Sequence, residues 1–189
     1  AIGLSYFVER GFRDDIIKKF ELGYSPEKGD SFRNHALHNG FKEEILQLAG
    51  LVNRGNYDTF SGRVVFPIHN ISGRIVGFTG RVLKTDVKTA KYLNSPESEI
   101  FHKGRILFGL HLAKKMMVDQ DKCLLVEGNT DVVSLHQSGI ENVVASSGTA
   151  LTQDQIRLVR RFTKNLTIVY DGDAAGIKAA LRGIDLVLE

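Results

Sequence analysis

From Cys123 to the end, short apolar runs alternate with stretches of helical patterning. Cys123–Val126 and Asn142–Ala145 are apolar, and Leu166–Tyr170 is β-rich. Between them lie Thr130–Gln137, ending near Gly139, and Thr152–Phe162, with Thr152 as N-cap and Ile156, Val159 and Phe162 at helical spacing. A last helix runs from about Ala174 to Leu188. Strands separated by whole helices cannot close as hairpins, so they pair through crossovers and lie parallel. The expected architecture here is α/β, a βαβαβα unit built on a parallel sheet. The alternation calls for another strand after Leu188, so the unit is expected to be incomplete at its C-terminal end.

The chain before Cys123 follows another pattern. Ser5–Glu9 and Asp14–Phe20 read as short helices separated at Gly11, and Lys42–Ala49 as a helix with Gly50 as C-cap. Arg63–His69 and Arg74–Phe78 are β-rich and flank the turn chemistry of Asn70-Ile-Ser-Gly73, which predicts a hairpin, with Pro67 pointing to an edge strand. Residues 84–104 are polar and rich in turn formers, and Ile106–Met117 returns to helical character. The charged link Asp119–Lys122 is the expected boundary. It separates an N-terminal mixed α+β subdomain (1–118) from the parallel-sheet subdomain (119–189).

Charge divides at the same place. Residues 1–118 carry 18 Lys+Arg and 12 Asp+Glu, and residues 119–189 carry 7 and 10. A basic half joined to an acidic half suits a polyanion held on one side and cations on the other. No apolar run reaches the ~20 residues of a membrane span, and Ala1–Arg10 lacks the pattern of a signal peptide. Lacking an initiator Met, the chain is expected to begin inside a longer protein. A lone cysteine, Cys123, rules out an intrachain disulfide and a Cys-rich zinc site, and its apolar neighbours predict a buried, inert thiol. The six histidines show no zinc spacing.

Two acidic motifs directly follow apolar strands: Val126-Glu-Gly-Asn-Thr-Asp131 and Val169-Tyr-Asp-Gly-Asp-Ala-Ala-Gly176. Ligands of open parallel sheets bind at the carboxyl ends of the strands. Glu127 and Asp171 fall at that edge, and Asp131, in the first turn of a helix, can point back to Glu127. Gly128 and Gly172 are expected to permit tight turns that keep bulk away from the site. Clustered carboxylates repel unless a cation joins them, and oxygen donors of this kind suit Mg²⁺ or Mn²⁺. Taken singly, each motif has an ordinary structural reading, since Asp-x-Asp is common in loops and Asp131 suits a helix start. The pair together favours metal binding and phosphoryl chemistry.

Between Arg54 and Lys115 there are 11 Lys+Arg against four acids, interleaved with Phe60, Phe66, Phe78, Tyr92 and Phe101. Basic side chains with aromatic faces suit phosphates and unstacked bases, although Phe66 and Phe78 fit the hairpin core better.

Glu127-Gly-Asn-Thr-Asp131 together with Asp171-Gly-Asp173 resembles the Toprim domain shared by bacterial primases, type IA and type II topoisomerases and some nucleases. The upstream motifs Arg63-Val-Val-Phe-Pro-Ile68, Gly77-Phe-Thr-Gly-Arg81, Lys91-Tyr-Leu-Asn-Ser-Pro-Glu97 and Phe101-His-Lys-Gly104 resemble DnaG-type primases, as do Tyr6–Gly11 and Ser147–Leu151. The resemblance implies template-directed RNA primer synthesis by a metal-dependent nucleotidyltransferase. Glu127, Asp171 and Asp173 would be catalytic, and these three with Asp131 would bind Mg²⁺ or Mn²⁺. Arg10, Arg63, Arg81, Lys91, Asn94 and Lys103 would contact nucleotide or template. It also implies single-stranded DNA, NTPs and an RNA primer as partners, a replicative helicase bound through a C-terminal domain outside this chain, zinc only in an N-terminal domain likewise outside it, no membrane, and a cytoplasmic location at replication forks. Two positions depart from the family: Asn129-Thr130 stand where Tyr-Met is usual, and Thr79 where glycine is usual. The family's next acidic motif would follow Glu189, so this chain is expected to bind substrate weakly and polymerise little or not at all alone. Rival readings are a topoisomerase or nuclease fragment and a phosphatase of the haloacid dehalogenase class, whose Asp-x-Asp follows the first strand.

Overall fold

The computed structural model describes residues 2–83, 89–148 and 150–188. The chain forms two compact units, residues 1–68 with 75–101, and residues 69–74 with 102–189.

In the first unit, α1 (Ile2–Glu9) and α2 (Asp14–Lys19) precede β1 (Gly23–Ser25), α3 (Ser31–His38) and α4 (Glu43–Leu48). Then come β2 (Arg63–His69), β3 (Ile75–Val82) and β4 (Tyr92–Asn94), which with β1 form one sheet in the order β1-β2-β3-β4. The hairpin is present, and its turn is closed by the Asn70 side chain, which accepts from the amides of Ser72 and Arg74 at 3.0 Å. The edge placement is corrected, because β2 is interior. Its β1 partner runs only from Arg63 to Val65, so Pro67, which has no N–H to give, lies past that ladder. β2 is buried along nearly its whole length, and Phe7 of α1 meets Phe66 edge-on at 6.0 Å. α3, β1 and β4 have no counterpart in the sequence reading. α3 depends on a distant residue: buried Asp58 accepts from the amides of Phe32 and Arg33 at 2.8 and 2.9 Å, satisfying two donors of the helix start. Residues 84–88 of the expected polar segment lie outside the described residues.

The second unit contains α5 (Leu110–Asp119), β5 (Cys123–Val126), α6 (Asn129–Gln137), β6 (Val143–Ala145), α7 (Gln153–Arg160), β7 (Leu166–Val169) and α8 (Ala174–Leu188). Its sheet is parallel, ordered β6-β5-β7, as the alternation requires. Leu107, Leu110, Ala113 and Met117 share one core with Cys123, Leu125, Val144 and Val159. α5 thus covers the parallel sheet although it precedes the charged link at 119–122. Burial pushes the Cys123 thiol up to about 12, in keeping with an inert side chain. Thr152 caps α7 as expected: its hydroxyl accepts from the Gln155 amide at 3.1 Å, and the Gln155 side chain accepts from the Thr152 amide at 3.2 Å. Among the described residues no helix is long and apolar enough to cross a membrane.

Candidate nucleotidyl-transfer site

β5 and β7 pair in register, with Val126 opposite Val169. The residues that follow them, Glu127 on one strand and Tyr170-Asp171 on the other, therefore emerge side by side at the carboxyl edge. The Glu127 carboxylate accepts a backbone hydrogen bond from Asp171. Burial raises its pKa above the usual carboxylate range, and the negative charges of Asp171, Asp173 and Asp131 push the same way. The other three acids named from sequence thus act electrostatically on Glu127.

Two of the four also serve their helices. Asp131, at the third position of α6, accepts from the Gly128 amide at 3.0 Å. Asp173, just before α8, accepts from the Gly176 amide at 2.7 Å. These contacts hold each carboxylate at the edge. Among the described residues no three His, Cys, Asp or Glu side chains are grouped closely enough to hold a metal ion by themselves. The donor set still fits Mg²⁺, which is ordinarily held by one or two carboxylates together with water and substrate phosphates.

The glycine that matters most for this edge is one the sequence reading passed over. A Cβ on Gly176 would collide with the Asp171 carbonyl and come within 3.0 Å of the Glu127 carboxylate. A Cβ on Gly128 would come 2.8 Å from the Asp131 carboxylate, so this glycine keeps bulk away from the acids as expected, whereas a Cβ on Gly172 would meet nothing within 4 Å, and for Gly172 the expectation is corrected. Asn129, one of the departures from the family pattern, is buried and accepts from the Ser147 hydroxyl at 2.7 Å, tying the start of α6 to the loop after β6. Thr149 in that loop lies outside the described residues. A groove of about 500 Å³ opens beside the acids, lined by Glu127, Ser146, Tyr170, Asp173, Gly176 and Arg182 among others.

The backbone of Lys103 is fixed in this unit, since fully buried Gln155 donates to the carbonyls of Lys103 and Ile106 at 3.1 and 2.8 Å.

The remaining basic candidates belong to the first unit. Arg81 in β3 lies directly opposite Tyr92 in β4. Its guanidinium sits 4.9 Å from the Tyr6 ring centroid and 5.8 Å from that of Tyr92, and Arg10 sits 5.5 Å from Tyr6. Lys91 is exposed just before β4. Asn94 accepts from the Thr79 hydroxyl at 2.7 Å across the β3–β4 pair, so the threonine that replaces the family's glycine anchors a motif residue. Arg63 is buried and donates to the carbonyl of Ala90 at 3.0 Å and to those of Gly80 and Lys91 at 3.4 Å, and burial lowers its pKa. It braces the chain entering β4 and does not face solvent. Base stacking by Phe60 and Phe101 is also corrected, because both are buried; Phe66 is buried in the hairpin core as expected, whereas Tyr92 is exposed.

A parallel sheet with facing acids at its carboxyl edge is the arrangement of a Toprim domain, and residues 121–189 match that family. Residues 2–114 match the DNA primase catalytic core, N-terminal domain. The chain belongs to the bacterial DNA primase family. It is 44% identical over 187 residues to the DNA primase of Clostridium acetobutylicum, covering 97% of this chain and 31% of that protein. The crystal structure of the zinc-binding and RNA polymerase domains of Aquifex aeolicus primase superposes with a TM-score of 0.90 at 43% identity, over 97% of this chain and 46% of that one. The structure of a DnaG primase catalytic domain bound to single-stranded DNA superposes at 0.87 with 43% identity, over 97% of this chain and 58% of that one. The chain spans about 31% of the length of the Clostridium relative. The match over residues 2–114 tells against the topoisomerase, nuclease and phosphatase readings, none of which accounts for the basic unit.

Proposed function

We propose that this chain is the part of a DNA primase that holds template and nucleotide and carries the acids for primer synthesis. The observation that carries the reading is the register of β5 and β7, which brings Glu127 and Tyr170-Asp171 out side by side at the carboxyl edge of the parallel sheet, where burial and neighbouring charges raise the Glu127 pKa. The Toprim domain is a metal-binding fold in primases. In the proposed reaction a ribonucleotide 3′-hydroxyl attacks the α-phosphate of an incoming NTP and pyrophosphate leaves. Bound Mg²⁺, or Mn²⁺ in its place, supplies charge stabilisation at the attacking and leaving oxygens. Glu127, Asp171 and Asp173 are the residues assigned to hold it, with Asp131 beside them. Arg10, Arg81, Lys91 and Lys103 neutralise phosphates of triphosphate or template. Arg63 and Asn94 act one step back, Arg63 by bracing the entry to β4 and Asn94 by locking β4 to β3.

Residues 1–118 form the basic, strand-handling part and residues 119–189 the acidic, metal-handling part. The partners are single-stranded DNA, NTPs and the growing RNA primer, with a replicative helicase bound through a C-terminal domain outside this chain. Zinc belongs to an N-terminal domain also outside it, and the setting is the bacterial cytoplasm. The test is Asp171→Ala in a primase that contains this chain. Primer synthesis on a single-stranded template is expected to fall at least 100-fold while template binding is retained. Undiminished synthesis would overturn the assignment.

A further inference from the structure

In the first unit Tyr6 carries two cations on one ring. Arg81 reaches it from the sheet at 4.9 Å and Arg10 from one helical turn further along the chain at 5.5 Å. Among the described residues neither arginine forms an ion pair, and the Arg81 Nε is buried without a hydrogen-bond partner. Like charges brought together repel. What offsets that repulsion here is the negative face of an aromatic ring, which attracts guanidinium groups. The ring is itself held in place. Phe7, next to it, is buried in the core against Phe66, and at Gly3 the helix approaches β1 so closely that a Cβ would collide with Tyr24.

We propose that Tyr6 is a positioning residue, its ring the common seat that holds Arg10 and Arg81 ready for phosphates of a nucleic acid strand. This rests on the reading of the two arginines as phosphate contacts. Arginine side chains otherwise lose rotamer freedom when a ligand binds, and a ring that restrains them beforehand removes part of that cost. The face of the ring carries the role, and phenylalanine, which keeps that face, can replace tyrosine.

The test uses a primase that contains this chain and a fluorescently labelled oligothymidine, with anisotropy followed across a salt series. Arg81→Ala is expected to weaken binding and lower the slope of log affinity against log salt by about one. Tyr6→Phe stays within about twofold of the wild type. Tyr6→Leu weakens binding by about tenfold, reduces the salt slope, and costs clearly less in the Arg81→Ala background than in the wild type, since it acts through that arginine. The Nε–H resonance of Arg81 moves in Tyr6→Leu and holds in Tyr6→Phe. Should Tyr6→Leu not fold, Tyr6→Met serves the same comparison. If Arg81→Ala binds like the wild type, the phosphate reading itself fails. If Arg81→Ala weakens binding but Tyr6→Leu does not, the role of Tyr6 is overturned while the phosphate reading stands. Additive losses with an unmoved Arg81 resonance assign Tyr6 to packing alone and also overturn it.

Discussion

At the scale of single residues, the acids were legible because their chemistry lies in their type and in their place directly after apolar strands. What surrounds them was not. Gly176 lies inside the motif Asp171-Gly-Asp-Ala-Ala-Gly176 yet reads as one more small helix residue until α8 is seen to pass against the Asp171 carbonyl and the Glu127 carboxylate. Gly176→Ala is therefore expected to displace those groups and weaken Mn²⁺ binding at least tenfold, measured by isothermal titration. Gly172→Ala, between the two aspartates but with open space around it, should bind Mn²⁺ as the wild type does. Equal affinity for both variants would sink this account of the glycine. Arg63 teaches the converse lesson. As an arginine in a basic stretch it resembles a phosphate contact, but its guanidinium is buried and engaged by backbone carbonyls that the strand order brings to it.

At the scale of elements, those with local signatures were found and those held by distant partners were not. α7 was predictable because Thr152 and Gln155 satisfy each other's backbone donors within one turn. Thr152 does more than that, since its hydroxyl also donates to the Gly104 carbonyl at 2.5 Å. Thr152→Ala should cost about 1–2 kcal/mol, lowering the thermal midpoint by roughly 2–4 °C per kcal/mol, as read by circular dichroism. A midpoint unchanged within error would show that the cap contributes nothing. α3 escaped notice because its first amides are satisfied by Asp58, more than twenty residues away. β1 and β4 span three residues each, too few for a period-2 pattern to declare itself, and exist because longer strands pair with them.

At the scale of the whole molecule, the change of composition at 119–122 is a boundary of charge, whereas the compact units part earlier in the chain. α5 lies on the basic side of the link, yet its buried face belongs to the core of the parallel sheet. Residues 102–189 should accordingly melt cooperatively as an isolated polypeptide, while residues 119–189, with Leu125 and Val144 uncovered, should not. Two equally cooperative melts would show that α5 is dispensable. The sequence by itself determined the parallel sheet, the acids at its edge, the hairpin and the basic character of the first half, because periodicity, residue type and turn chemistry act over a few residues. Only the tertiary structure decided which basic and aromatic side chains face solvent, which glycine keeps the acids clear, which unit claims α5, and that Arg10 and Arg81 share the ring of Tyr6. Each of those depends on contacts between residues far apart in the chain, which only the packing of whole elements brings together.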